Sequence, residues 1–209
     1  MADLNCPSCG AKLAFRSSIS LIVVCAYCRS QVLRDDLSLK DLGKVAQLHR
    51  DGSVLQLGAR GAYRGTPFSA IGRLQMSFPD GYWNEWCLSL ADGRQAWLGE
   101  AAGTYAFSVM ADRSLPLPPY EKLSLGQDVT IGDRAYEVTD LRHASYLSAE
   151  GELPFRAPLG EAAPLADLRG SGASFATLDY SEAPPLAFLG EYVPFAELKL
   201  DGLKAPEGW

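Results

Sequence analysis

The 209-residue sequence has no long apolar run and no recognisable export signal. Its longest apolar stretch, residues 19–26, has the length of a strand and falls far short of the roughly 20 residues that a membrane-spanning helix needs. The N-terminus lacks a basic segment followed by an apolar one, which a secretory signal requires. These absences predict a cytoplasmic protein without a transmembrane segment.

Motifs of the common catalytic classes are also absent. The two histidines, His49 and His143, do not belong to a catalytic triad or an HExxH pattern. The sequence contains no P-loop and no strand-linked G-x-G-x-x-G for binding phosphate. Acidic pairs are common in any acidic β protein, so they do not by themselves indicate acid–base catalysis. The sequence favours a non-enzymatic protein, with a hydrolase or transferase that uses acidic residues as an alternative.

Glycine and proline, in contrast, are abundant, with 20 and 13 residues. So many turn-forming residues argue against long helices and for many short elements. Hydrophobic residues make up 47% of the chain and charged residues 21%, which is typical of a globular protein. The composition therefore predicts a folded, mainly β protein with little helix.

Four of the five cysteines form two C-x-x-C pairs near the N-terminus. They are Cys6 and Cys9, followed after fifteen residues by Cys25 and Cys28. This spacing is typical of a four-thiolate zinc ribbon. Disulfides are disfavoured in the cytosol, and a redox C-x-x-C belongs near a βαβ unit. The sequence predicts one structural zinc ion per chain, held by a zinc ribbon over residues 1–35.

The net charge of −6 is divided unevenly along the chain. Residues 1–50 carry a net charge of +3, whereas residues 51–209 carry −9. Because neutralised phosphates supply most non-specific affinity for nucleic acid, the larger part is a poor match for a polyanion. A basic protein segment or a cationic small ligand is the expected partner. Nucleic-acid binding through the mildly basic ribbon is the alternative.

Two related β units are predicted after a linker. Residues 36–54 form the linker, in which Ser38 and Asp41 resemble a capping box and favour a short helix. The pattern Leu-x-Leu-Gly at residues 55–58 recurs 68 residues later, at 123–126. We therefore predict a first unit over 55–114 and a second over 115–209, each an antiparallel bent sheet or SH3-like barrel.

Aromatic and acidic residues cluster on one predicted hairpin. Trp83 and Glu85 share one face of a strand and Trp86 the other. Cross-strand aromatic pairs would explain such a hairpin without any ligand. Alternatively, an aromatic and acidic surface attracts a cation or a basic peptide. The candidate ligand-binding residues are Trp83, Glu85, Trp97, Glu100, Glu152 and Asp179. Cys87 lies on the Trp83 face without an assigned role.

Several short motifs give the chain a family resemblance. They are IGRLQ (71–75), WNEW (83–86), DG (92–93), WLGE (97–100), GTY (103–105), GELP (151–154) and GEY (190–192). Together they resemble an uncharacterised bacterial family, domain of unknown function 4178, and the resemblance covers residues 39–200.

The resemblance implies a partner role rather than a reaction. Members of that family are similar in having a zinc-ribbon head, and they are encoded near membrane proteins and polyamine-synthesis-type enzymes. The resemblance thus implies a binding or adaptor protein in a polyamine-linked system, with possible association with a membrane protein. It assigns no catalytic residue.

Overall fold

β strands make up most of the protein. The computed structural model describes residues 4–35, 38–157 and 159–205. Within these residues the helices are two short 3-10 turns, Tyr120–Lys122 and Phe195–Leu198. No helix in the described part of the chain is long and apolar enough to span a membrane. The predicted mainly β fold with little helix is confirmed.

The described strands follow one another in a simple order. In chain order they are β1 (Leu4–Asn5), β2 (Lys12–Leu13), β3 (Ile22–Val24), β4 (Ser30–Asp35), β5 (Ser38–Lys44), β6 (Arg60–Tyr63), β7 (Thr66–Phe78), β8 (Gly81–Leu90), β9 (Gln95–Ala101), β10 (Thr104–Met110), β11 (Asp128–Ile131), β12 (Arg134–Leu153), β13 (Ala162–Arg169), β14 (Ser174–Asp179) and β15 (Leu186–Tyr192).

Eight of the described strands form a barrel-like closed arrangement, which we call the ring. Strands β7 to β10 form one antiparallel meander, and β12 to β15 form a second. The last strands of the meanders pair with each other, β10 with β15, and the first strands pair as well, β7 with β12. The pairing path therefore returns to its start, and the two meanders together close one ring.

The segments before the β6–β7 and β11–β12 hairpins make equivalent hydrogen bonds. The Gly58 amide donates to the Ala70 carbonyl, and the Gly126 amide donates to the Val138 carbonyl, both at 2.8 Å. The registers of β6 with β7 and of β11 with β12 are offset by the same 68 residues. The two Leu-x-Leu-Gly segments therefore occupy matching places at the starts of the two meanders.

Glycines allow close backbone contact at both seams between the meanders. At the β7–β12 seam Gly72 pairs with Gly151, and a Cβ on Gly72 would lie 1.8 Å from the Glu152 carbonyl oxygen. At the β10–β15 seam a Cβ on Gly190 would lie 2.0 Å from the Phe107 carbonyl oxygen. Only glycine fits where two backbones approach so closely.

Replacing a seam glycine should open the ring. We expect Gly190→Ala to lower the free energy of unfolding by about 3 kcal/mol, because the new methyl group overlaps backbone that belongs to the opposite meander. Gly52→Ala is the matched control, since no atom lies within 4 Å of its Cβ position. Urea unfolding of both variants measures the difference. Equal stabilities would show that the seam tolerates a side chain.

Connecting segments cover the outside of the ring. The outer side of the first meander, with Trp86, Leu88 and Leu98, packs against apolar residues of the segments 54–59 and 193–203. The outer side of the second meander packs in the same way against apolar residues between Ala111 and Leu123. Open space therefore remains inside the ring.

The N-terminal strands extend the same sheet. Strand β3 pairs with the end of β12, and β4 and β5 follow outward. The predicted short helix in the linker is wrong, because Ser38–Lys44 is the edge strand β5. Its backbone hydrogen bonds come from pairing with β4, and Gly43 has a φ of 103°, which no helix contains. Residues 36 and 37 of the linker lie outside the described part.

Candidate functional site

Four cysteine thiols meet at the N-terminus, as the spacing predicts. The Sγ atoms of Cys6, Cys9, Cys25 and Cys28 all lie within 4.8 Å of one another. The Sγ atoms of Cys6 and Cys28 are 3.6 Å apart, and those of Cys9 and Cys25 are 3.7 Å apart. A disulfide needs about 2 Å, whereas sulfurs 2.3 Å from a tetrahedral ion are about 3.8 Å apart. These free thiols could therefore hold a metal ion.

Two equivalent turns aim the thiols at one point. In the first turn the Gly10 amide donates to the Cys6 carbonyl at 2.8 Å, and in the second the Arg29 amide donates to the Cys25 carbonyl at 2.9 Å. Gly10 and Arg29, which follow the second cysteine of each pair, both have positive φ values, 77° and 59°. The shared turn geometry places each pair of sulfurs on the same side of its turn.

Glu152 holds this ribbon against the ring. Its carboxylate accepts hydrogen bonds from the amides of Arg16 at 2.7 Å and Ser17 at 3.1 Å. The Glu152 residue is only 3% exposed and lies outside the lining of the ring cavity. The structure thus places this candidate ligand residue at the ribbon, where backbone amides occupy both of its oxygens.

The interior of the ring contains a cavity of about 490 Å³. This volume lies within the range of small-molecule sites. All eight ring strands contribute to the lining, and the β7–β8 and β9–β10 turns border it at one end of the ring. The aromatic lining residues are Phe78, Tyr82, Trp83, Trp97, Tyr146, Phe155, Phe175, Phe188 and Tyr192.

Three of the candidate residues from the predicted hairpin meet in this cavity. The Trp83 indole nitrogen donates to a carboxylate oxygen of Glu85 at 2.7 Å. The Trp97 ring packs against Phe155 and Phe188, with centroid distances of 5.8 and 6.2 Å. The alternation of β8 points Trp83 and Glu85 inward and Trp86 outward, as the sequence pattern indicates.

Two more carboxylates enter from the second meander. Asp179 accepts hydrogen bonds from the Tyr146 hydroxyl at 2.7 Å and the Ser181 amide at 2.8 Å. Asp167, on the neighbouring strand, accepts a hydrogen bond from the Thr177 hydroxyl at 2.7 Å. Asp179 is one of the candidate residues, so Trp83, Glu85, Trp97 and Asp179 share one cavity.

Burial disfavours the charged forms of Glu85 and Asp167. Burial raises the pKa of Glu85 to about 7, with smaller upward contributions from the charges of Asp167 and Asp179, while the Trp83 hydrogen bond opposes the rise. Burial also raises the pKa of Asp167, against the effects of Thr177 and Arg142. A cation placed in the cavity would offset both the desolvation and the mutual repulsion of these carboxylates.

The part of the chain that builds the ring matches a known family model. The match, to a domain of unknown function (DUF4178), covers residues 56–195, about two thirds of the chain. The chain belongs to this family. All of the residues that line the cavity lie inside the matched segment, whereas the thiol cluster precedes it. No match was found among curated proteins or among solved structures.

Glu100 also lies in the family segment, but its carboxylate points to the outer side of the ring. It accepts hydrogen bonds from the Trp86 indole nitrogen at 2.9 Å and the Ser53 hydroxyl at 2.6 Å. Although Glu100 borders the cavity, its two oxygens are held by residues of the outer apolar cluster. The four carboxylates of the hydrolase alternative are thus divided: Glu85 and Asp179 face the cavity, and Glu100 and Glu152 do not.

A buried polar network beside Glu100 is a feature that the sequence analysis missed. Arg73, 5% exposed, forms ion pairs with Asp51 and Glu150 and donates to the Asn84 side-chain oxygen at 3.0 Å. The network attaches the segment before β6 to the outside of the ring. The sequence signal for this network is Arg73 itself, which lies within an otherwise buried strand. A buried charge requires a partner.

The second meander supplies cavity residues that sequence reasoning also missed. Asp167, Thr177, Arg142 and Tyr146 line the cavity beside Asp179. The alternation of Leu165, Asp167 and Arg169 along β13 could have indicated an inward acid. That interpretation requires knowing which face of β13 points into the ring.

Proposed function

We propose that this protein is a non-enzymatic binding protein whose ring cavity holds an amine-bearing cation. The observation that carries the proposal is the pair of inward carboxylates, Glu85 and Asp179, in a cavity of about 490 Å³ with aromatic walls. Carboxylates attract ammonium groups, and the faces of Trp and Phe rings add a cation–π attraction. The cavity combines both in one partly enclosed space.

Binding is favoured over hydrolysis by the way the acids are held. Glu85 and Asp179 each accept a hydrogen bond from an aromatic residue of the wall, Trp83 and Tyr146. These hydrogen bonds hold both carboxylates in place in the cavity wall, where each acts as a hydrogen-bond acceptor. Glu100 and Glu152, which the hydrolase alternative requires in the same pocket, hold other parts of the protein together.

The cation in this proposal is a free amine, and a lysine side chain of a partner protein is the second source of the same chemistry. The exposed Tyr82 and the turn residues Asp80 and Ala102 border the cavity, so one end of the ring gives access from solvent. An adaptor role in a polyamine-linked system near a membrane protein, which the family resemblance implies, is part of the proposal.

We also propose that zinc occupies the thiol cluster. The residues fit this ion, since four thiols within 4.8 Å of one another, two pairs of them 3.6 and 3.7 Å apart, match a closed tetrahedral site. Four thiolates leave no open position, so the ion would stabilise the ribbon and take no part in chemistry. Thiols stay reduced in the cytoplasm, which is where the proposal places the protein.

Calorimetric titration with spermidine at several pH values tests the cavity proposal. Glu85 gains its charge as the pH rises through about 7, so we expect spermidine to bind at pH 8 and to bind about tenfold more weakly at pH 6. A neutral polyether of similar length is the control ligand, and a lysine-rich peptide tests the protein source. The absence of binding by spermidine and the peptide at pH 8, or affinity that rises toward pH 6, would contradict the proposal.

A further inference from the structure

Glu85 and Asp179, two of the carboxylates that line the cavity, lie on opposite walls. Glu85 is on β8 and Asp179 is on β14, and three strands separate these two in either direction around the ring. Each is fixed by one aromatic hydrogen-bond donor at 2.7 Å, Trp83 for Glu85 and Tyr146 for Asp179. The cavity therefore presents carboxylates on two opposite walls.

The protein provides little positive charge to balance this pair. Among the described residues that line the cavity, Arg142 is the one with a basic side chain. Its guanidinium forms an ion pair with Asp140 and lies 4.8 Å from the centre of the Phe78 ring. It also acts on Asp167, whose burial-raised pKa it partly lowers. Glu85 and Asp179 are thus the carboxylates that need a partner from outside.

Apolar side chains line the cavity along with these acids. Leu74, Met76, Trp97 and Phe188 contribute to the lining and belong to one packed cluster. Such a surface favours methylene groups, because each buried methylene contributes roughly 0.8 kcal/mol. A matching ligand has cationic ends and an apolar middle.

From this arrangement, and resting on the proposed function, we propose that the cavity takes a linear diamine, with one ammonium group at Glu85 and the other at Asp179. A monoamine would leave one partly buried carboxylate without a counter-charge, which is unfavourable in a medium of low dielectric constant. A metal ion would need donor atoms close together. Among the described residues the cysteine thiols form the one group close enough for that.

Paired titrations at pH 8 test the diamine proposal. Each unbranched diamine, from 1,3-diaminopropane to 1,8-diaminooctane, is compared by calorimetry with the amino alcohol of the same length, which keeps one ammonium group and a polar end. We expect the best diamine to bind at least about tenfold more tightly than its amino alcohol. Asp179→Asn should reduce this advantage to less than about threefold, while its side-chain oxygen still accepts the Tyr146 hydrogen bond.

The outcomes separate this inference from the proposed function. Equal affinities for the diamine and the amino alcohol would overturn the diamine proposal and leave a site for one amine. No binding of either compound would overturn both. A thermal melt checks that Asp179→Asn is folded, and if it is not, Glu85→Gln serves as the second variant, for which the same loss of the diamine advantage is expected.

Discussion

Cys25→Ser should abolish metal binding and unfold the N-terminal ribbon. Cys25 is 1% exposed and forms the small ribbon cluster together with Cys6, Val23 and Val32. This cluster is small, so under the zinc proposal the metal ion supplies much of the stability of the segment. Structural zinc contributes roughly 10–16 kcal/mol in small zinc domains. Loss of a ligand therefore has the largest effect expected for any single change in this protein.

Metal analysis and hydrogen exchange measure this effect. The wild-type protein should contain one zinc ion per chain and Cys25→Ser none, with amides of residues 4–35 losing protection and the ring amides keeping theirs. Cys87→Ala is the matched control, because Cys87 is a buried thiol on β8 outside the cluster. Metal-free wild-type protein with a protected ribbon, or zinc retained in Cys25→Ser, would contradict the zinc assignment.

Glu85→Gln should weaken spermidine binding by at least about tenfold and at the same time stabilise the free protein at pH 8. The folded-state pKa of Glu85, about 7, is above its ordinary value of 4.5. The folded protein therefore loses stability as the pH rises from about 4.5 through 7, and the full cost is present above pH 7. Because Glu85 keeps some contact with solvent, we expect Glu85→Gln to raise the free energy of unfolding at pH 8 by about 1–3 kcal/mol.

Opposite changes in binding and stability distinguish a ligand-binding carboxylate from a structural one. The glutamine oxygen still accepts the hydrogen bond of Trp83, so the cavity wall is preserved. Glu182→Gln is the control, since Glu182 is exposed, pairs with Arg113 and lies outside the cavity lining. Chemical unfolding at pH 5 and pH 8 gives the stabilities. A Glu85→Gln variant that is less stable than wild type at pH 8 would assign Glu85 a structural role.

Features that depend on local patterns were predictable from the sequence. The four cysteines lie within the first 28 residues, so their spacing is visible in one short segment. The turns at Gly10 and Arg29 depend only on hydrogen bonds within each turn. The facing of Trp83 and Glu85 follows from strand alternation alone. The repeated Leu-x-Leu-Gly segments likewise precede the β6–β7 and β11–β12 hairpins.

Features that depend on distant pairing were not predictable. The segment 38–44 has a helix-like pattern, yet the free edge of β4 converts it to a strand. Glu152 and Arg16 are 136 residues apart in sequence, and no local pattern shows that they meet. Glu100, by contrast, was predictable: it lies three positions after the inward-facing Trp97 on β9, so strand alternation alone places it on the outer side. Closure of the ring decides which acids face the cavity.

Calorimetric titration of the wild-type protein and Glu85→Gln with spermidine at pH 8, side by side, tests most directly whether the ring cavity binds an amine. We expect saturable binding to one site in the wild-type protein and at least about tenfold weaker binding to the Glu85→Gln variant, with Glu182→Gln behaving as wild type. Equal binding by all three proteins, or no binding by the wild-type protein, would contradict amine binding in the cavity.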